Sequence, residues 1–135
     1  MSASEWTSLV DPEGTLSGLF GATNLPLASC ELFYLQIDER ERSVTIGFET
    51  PNLPPHPPAS WGERPYNMFE FYLEFTDVSG LSISGWAASA RAGIAFEAHG
   101  SRSVRVSIRH ADTHLHFTAT GSSVSRLHPY LAGGE

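Results

Sequence analysis

Along Phe69-Glu70-Phe71-Tyr72-Leu73-Glu74-Phe75 every second residue is a large apolar side chain, and Glu, Tyr and Glu fill the positions between. Successive side chains of a strand point to opposite faces. The spacing therefore predicts a half-buried antiparallel strand with four apolar residues inward and Glu70, Tyr72 and Glu74 outward. The same period runs through Phe33, Leu35 and Ile37, set against Tyr34, Gln36 and Asp38. After the polar run Glu39 to Arg42 it resumes at Val44, Ile46 and Phe48, set against Thr45, Gly47 and Glu49. Two alternating runs joined by a short polar turn predict a hairpin over 30–49.

Upstream of that hairpin the period is helical. Asp11 reads as an N-cap, Pro12 as the first helical residue, and Leu16, Leu19 and Phe20 as one apolar face ended by Gly21, with Trp6, Leu9 and Val10 in a second helical or irregular piece. Thr50 to Pro65 holds six prolines around Trp61 and cannot pair as a central strand; it reads either as a functional loop or as a stiff connection between sheets whose tryptophan lids the core. A tight turn is expected at Val78-Ser79-Gly80, followed by Leu81, Ile83 and Gly85 opposing Ser82, Ser84 and Trp86. Shorter alternating runs carry on the meander around Ile94 to Ala98, Val104 to Ile108, Leu115 to Ala119 and Val124 to Leu127. The expected fold is mainly β: an antiparallel two-layer sandwich or partly closed barrel of seven to eight strands, with a short N-terminal helix.

At 135 residues the chain is expected to form a single domain over 1–135. It has no apolar run long enough to cross a bilayer, and Met1-Ser2-Ala3-Ser4-Glu5 lacks the features of a signal peptide. A cytoplasmic location is expected, and the single cysteine, Cys30, reads as a buried structural thiol. The net charge of −7 is unevenly placed: residues 1–77 carry twelve acids against three arginines, and 78–135 three acids against five arginines. There is no lysine. Such a field disfavours nucleic acid and favours a basic partner, whose encounter it would accelerate.

Candidate chemistry is sparse. His114 and His116 share one side of a strand at a spacing that can chelate a metal, with His99, His110 or Asp112 as a third ligand, but the glutamate that cupins place a few residues later is absent. Neither a Gly-x-Ser-x-Gly elbow nor a phosphate-binding glycine loop occurs. Glu70 and Glu74 stand roughly 13 Å apart along their strand, too far for a paired acid and base. Tyr34, Tyr72, Trp61 and Trp86 fall off the principal apolar face, and exposed aromatics beside acids suit protein recognition.

The order of features resembles the immunity protein 50 family of bacterial polymorphic toxin systems. The resemblance is carried by Leu16 to Gly21, Pro26-Leu27, Val44 to Phe48, the Pro-rich loop with Trp61, Phe69 to Phe75, and Leu81-Ser82-Ile83-Ser84-Gly85-Trp86. It implies a non-enzymatic protein that binds and blocks a cognate toxin domain, and it brings no catalytic residue, metal or cofactor. A nuclease toxin would present a basic groove to the acidic half. The contact residues expected are Tyr34, Asp38, Glu49, Trp61, Glu70, Tyr72 and Glu74, on a monomer or homodimer that engages neither nucleic acid nor membrane. The competing expectation is a small-molecule or metal-binding β-barrel, with enzymatic activity left open, built around His110 to His116.

Overall fold

The computed structural model describes residues 5–21, 25–62, 65–85, 93–100, 102–110 and 113–131. Two short helices, α1 (Glu5–Val10) and α2 (Thr15–Phe20), precede eight strands. These are β1 (Glu31–Asp38), β2 (Ser43–Thr50), β3 (Met68–Thr76), β4 (Ser79–Ser84), β5 (Gly93–His99), β6 (Ser103–His110), β7 (Thr113–Ala119) and β8 (Gly121–Tyr130). They form two four-stranded antiparallel sheets ordered β1-β2-β3-β8 and β4-β7-β6-β5, a sandwich in which neither sheet closes into a barrel.

The alternation of β3 sets the core. Phe69, Phe71, Leu73 and Phe75 are fully buried and meet Val44, Ile46 and Phe48 of β2 on the same face. The second sheet contributes Val104, Val106 and Ile108 of β6 and Leu115, Phe117 and Ala119 of β7. Phe75 bridges the layers, its ring 5.3 Å from that of Phe117 in an edge-on contact. Helix α1 packs against β5 and β8 and so covers the side of the sandwich where those two edges lie. Its Trp6 enters between the sheets, stacked on Phe71 at 6.1 Å and on Phe96 at 5.8 Å, and donates its indole N–H to the Leu25 carbonyl at 2.9 Å.

Asp11 does cap the helix that carries Leu16, Leu19 and Phe20 and ends at Gly21, but that helix begins at Thr15 and not at Pro12. The chain makes a turn through Pro12 and Glu13, Gly14 takes a left-handed φ of 74°, and α2 starts at Thr15. The buried Asp11 carboxylate reaches over this turn to accept the N–H groups of Thr15 at 3.0 Å and Leu16 at 2.7 Å. Those are donors that a helix of this length leaves without internal partners.

The turn expected at Val78-Ser79-Gly80 is a corner between sheets. β3 and β4 do not form a hairpin: β3 pairs with β8, and β4 pairs with β7. Asp77, at a φ of 52°, and the buried Val78 redirect the chain into the second sheet, while Thr120 does the same between β7 and β8. A two-stranded ribbon thus bends from one layer into the other, as strands do at the corners of packed sheets. The junction is tied to the β1–β2 turn by the N–H of Val78, which donates to the Arg42 carbonyl at 3.0 Å.

Two bulges decide which side chains face out. One lies between Leu32 and Tyr34, where Phe33 is the extra residue. Phe33 was expected inward with Leu35 and Ile37; it turns outward instead, its ring 5.7 Å from that of Tyr72. The other lies in β8, where Tyr72 pairs with Arg126 but Leu73 pairs with Val124, leaving Ser125 over. A bulge inserts one residue into the ladder and resets the alternation beyond it. Val124 and Leu127, three apart, therefore both face the core. Trp86 and Asp112 lie outside the described residues.

Candidate functional site

The outer face of the first sheet is built from three rows of side chains that run across its strands. One row is Glu31, Glu49, Glu70 and His128; the next is Tyr34, Gly47, Tyr72 and Arg126; the third is Gln36, Thr45, Glu74 and Ser123. Tyr130, beside Met68, adds to the same face and donates its hydroxyl to Glu49 Oε2 at 2.7 Å. Five of the seven contact residues expected from sequence, Tyr34, Glu49, Glu70, Tyr72 and Glu74, share this one surface.

The other two are placed differently. Asp38 sits at the far end of β1, and its Oδ1 accepts the N–H groups of Arg40 and Glu41, both at 3.1 Å, so that this carboxylate organises the turn. Trp61 is on the opposite side of the sheet. Its ring lies 5.6 Å from that of the core residue Phe69 and 5.7 Å from that of Tyr66, which makes it a lid over one end of the interior.

The aromatic rows interlock. Tyr72 makes edge-on contacts with Phe33 at 5.7 Å and Tyr34 at 5.5 Å, and the Arg126 guanidinium lies 5.6 Å above its ring. His128 and Tyr130 stack nearly parallel at 5.8 Å. Gly47 permits this packing: a Cβ there would come 2.9 Å from Tyr34 Cβ and 2.9 Å from Tyr72 Cε2. Neither atom is the free end of a flexible chain. Gly47→Ala is expected to lower stability by about 1–3 kcal/mol through overpacking, read as a fall in the denaturant midpoint. A neutral result would mean that the tyrosines are not held over the glycine.

Electrostatics distinguishes this face from its counterpart. Glu31, Glu49 and Glu70 are direct cross-strand neighbours, an arrangement that costs stability because like charges oppose one another. On the second sheet the outward positions of β6 and β7 are Arg105, Ser107, Arg109, His114, His116 and Thr118. Four of the twelve acids of residues 1–77, Glu31, Glu49, Glu70 and Glu74, thus lie on one surface. His114 and His116 do lie together, with rings 5.7 Å apart, but Arg109 Nε donates to His114 Nε2 at 3.2 Å and brings a cation onto the nitrogen a metal would need. His99 pairs with Ser103 at the other end of β6 from the Arg109–His114 rung, so it cannot join them. Among the described residues no three His, Cys, Asp or Glu side chains converge as a metal site.

The perturbed groups are all pushed toward their neutral forms. Burial raises the Cys30 thiol from 9.0 to about 11, against the lowering effect of Ser29 and Thr50. Burial also raises Tyr72, helped by the charge of Glu70 and opposed by Arg126; Tyr130 rises through burial and then through its bond to Glu49. A folded-state pKa above the unfolded value means stability that is complete below the unfolded pKa and is lost as pH rises through the folded one. The denaturant midpoint should therefore fall as pH climbs above 9, toward 11 for the thiol. Cys30→Ser should remove the first part of that fall; an unchanged alkaline profile would rule the thiol out as its source. At pH 8 alkylation of native Cys30 is expected to be about a hundredfold slower than of the unfolded chain.

Sequence reasoning placed Gly47 on this side of its strand but missed Glu31, Phe33, Arg126, His128 and Tyr130 as members of this face. Arg126, His128 and Tyr130 do alternate, which was the available signal. Pro129 masked it, because proline argues against a strand unless the strand is an edge, as β8 is. Among the described residues no helix is long and apolar enough to cross a membrane. Neither the curated proteins nor the solved structures contain a match to this chain. A family model does match, over residues 15–130, which takes in α2, both sheets and the whole acidic-aromatic face: the chain belongs to the immunity protein 50 family.

Proposed function

We propose that this chain neutralises a toxin domain by direct binding through the outer face of the first sheet, without catalysis. Family membership supports the immunity role. The observation that carries the choice of surface is the row Glu31, Glu49 and Glu70 beside Tyr34 and Tyr72: three cross-strand carboxylates set against half-exposed aromatic rings. Aromatic anchors contribute contact area at low entropic cost, and neighbouring carboxylates select a cationic partner. A nuclease toxin fits this chemistry, because a groove that binds phosphates is basic. An interface on the order of 1,600 Å² would cover the face, with charge acting mainly on the association rate. The protein would then act in the bacterial cytoplasm, where such a toxin meets its substrate, and a reduced Cys30 suits that compartment.

The test is growth rescue. The C-terminal domain encoded by the adjacent gene is expressed under tight control with and without this protein, and complex formation is measured by co-purification. Rescue with a stable complex is expected. A toxic neighbour that this protein neither binds nor silences would overturn the reading.

A further inference from the structure

We infer that the free edge of β1 takes an extended segment of the toxin as a fifth strand of the first sheet; this rests on the immunity reading above. β1 ends the strand order and, among the described residues, pairs only with β2. An edge strand presents unpaired N–H and C=O groups, and proteins ordinarily protect such edges with charges, proline or a covering element. The other edge of this sheet has that protection, since β8 contains Pro129 and packs against α1. β1 carries neither proline nor a basic side chain, and its protection is limited to the bulge at Phe33 and one acid at each end, which leaves the edge open to a cationic strand.

Its exposure is two-sided. Phe33 and Tyr34 on the outer side are each 39% exposed, and Leu35 and Ile37, which face the core side opposite Ile46 and Val44, are still 42% and 38% exposed. A partner lying flat on the outer face would cover the first pair and leave the second in water. A strand placed alongside β1 would flank both pairs, and its alternating side chains would extend both faces of the sheet.

Charge says what that strand carries. β1 has Glu31 at one end and Asp38 at the other. Two copies of β1 paired antiparallel about the centre of the strand would set Glu31 of each beside Asp38 of the other, repulsive at both ends. A segment with apolar residues in the middle and a lysine or arginine near each end would instead neutralise Asp38 and complete the row Glu31, Glu49 and Glu70 with a cation. The occupant is therefore a basic-ended strand of the toxin rather than a second copy of this chain.

Amide hydrogen exchange on the intact protein, alone and with the toxin domain from the adjacent gene, tests this. Binding is expected to slow exchange in 31–38 at least about tenfold. Leu35→Lys and, separately, Glu31→Lys should each weaken the complex about tenfold with the thermal midpoint nearly unchanged, both positions lying outside the buried core. A complex that rescues growth without slowing β1 amides overturns the edge inference and leaves the immunity reading standing. Failure to form any complex removes both. Sedimentation that finds a dimer with β1 amides already protected, released by Ile37→Lys, assigns the edge to a second copy and overturns the inference.

Discussion

Phe71→Ala is expected to cost about 3–5 kcal/mol, the range for removing a fully buried aromatic side chain. Its ring stacks on Phe48 at 5.3 Å, Phe69 at 5.7 Å and Trp6 at 6.1 Å, so its loss opens a cavity where β2, β3 and α1 meet. Trp6 also stacks on Phe96 of the second sheet, and the cavity would loosen the join between the layers. Total stabilities of domains run to about 5–15 kcal/mol, so the variant should melt roughly 10–20 °C lower. Phe33→Ala is the comparison: the same residue type at 39% exposure should cost about 1 kcal/mol or less. Equal losses at the two positions would contradict the described burial.

The second large effect is on binding and leaves stability intact. With Glu70→Lys and Glu74→Lys together, affinity for the toxin domain should fall at least about tenfold, mostly through the association rate, and its salt dependence should weaken. Glu70 is the cross-strand neighbour of Glu49, so a lysine there replaces a like-charge pair by an opposite one and should add a few tenths of a kcal/mol, about the value of a surface pair. A variant that is as stable as the parent yet binds poorly separates recognition from folding. Unchanged affinity and salt dependence would remove the outer face from the interface.

Much of this surface was legible because β3 alternates without interruption. Glu70, Tyr72 and Glu74 had to lie opposite Phe69, Phe71, Leu73 and Phe75 in any sheet that buried the phenylalanines. The hairpin of β1 and β2 likewise placed Tyr34 and Glu49 on one side, because a short turn between two alternating runs leaves little freedom of register. Phe33 shows the limit of that logic. A bulge has no dependable mark in the local sequence, and one extra residue carried this ring from the expected core side to the outer face.

Local sequence therefore determined the strands, their inward residues wherever no bulge intervenes, the acidic character of the first half and its lack of a recognisable catalytic motif. Tertiary structure alone decided that β3 pairs with β8 rather than β4, that Tyr130 reaches Glu49 across 81 residues, and that Trp61 closes the core instead of joining Tyr34 and Tyr72. The physical reason is the range of the forces involved. Alternation is written residue by residue, because each side chain either enters water or leaves it. Pairing between distant strands depends on how two whole apolar faces fit, and on the corner at Asp77 and Val78 that lets one ribbon serve both sheets.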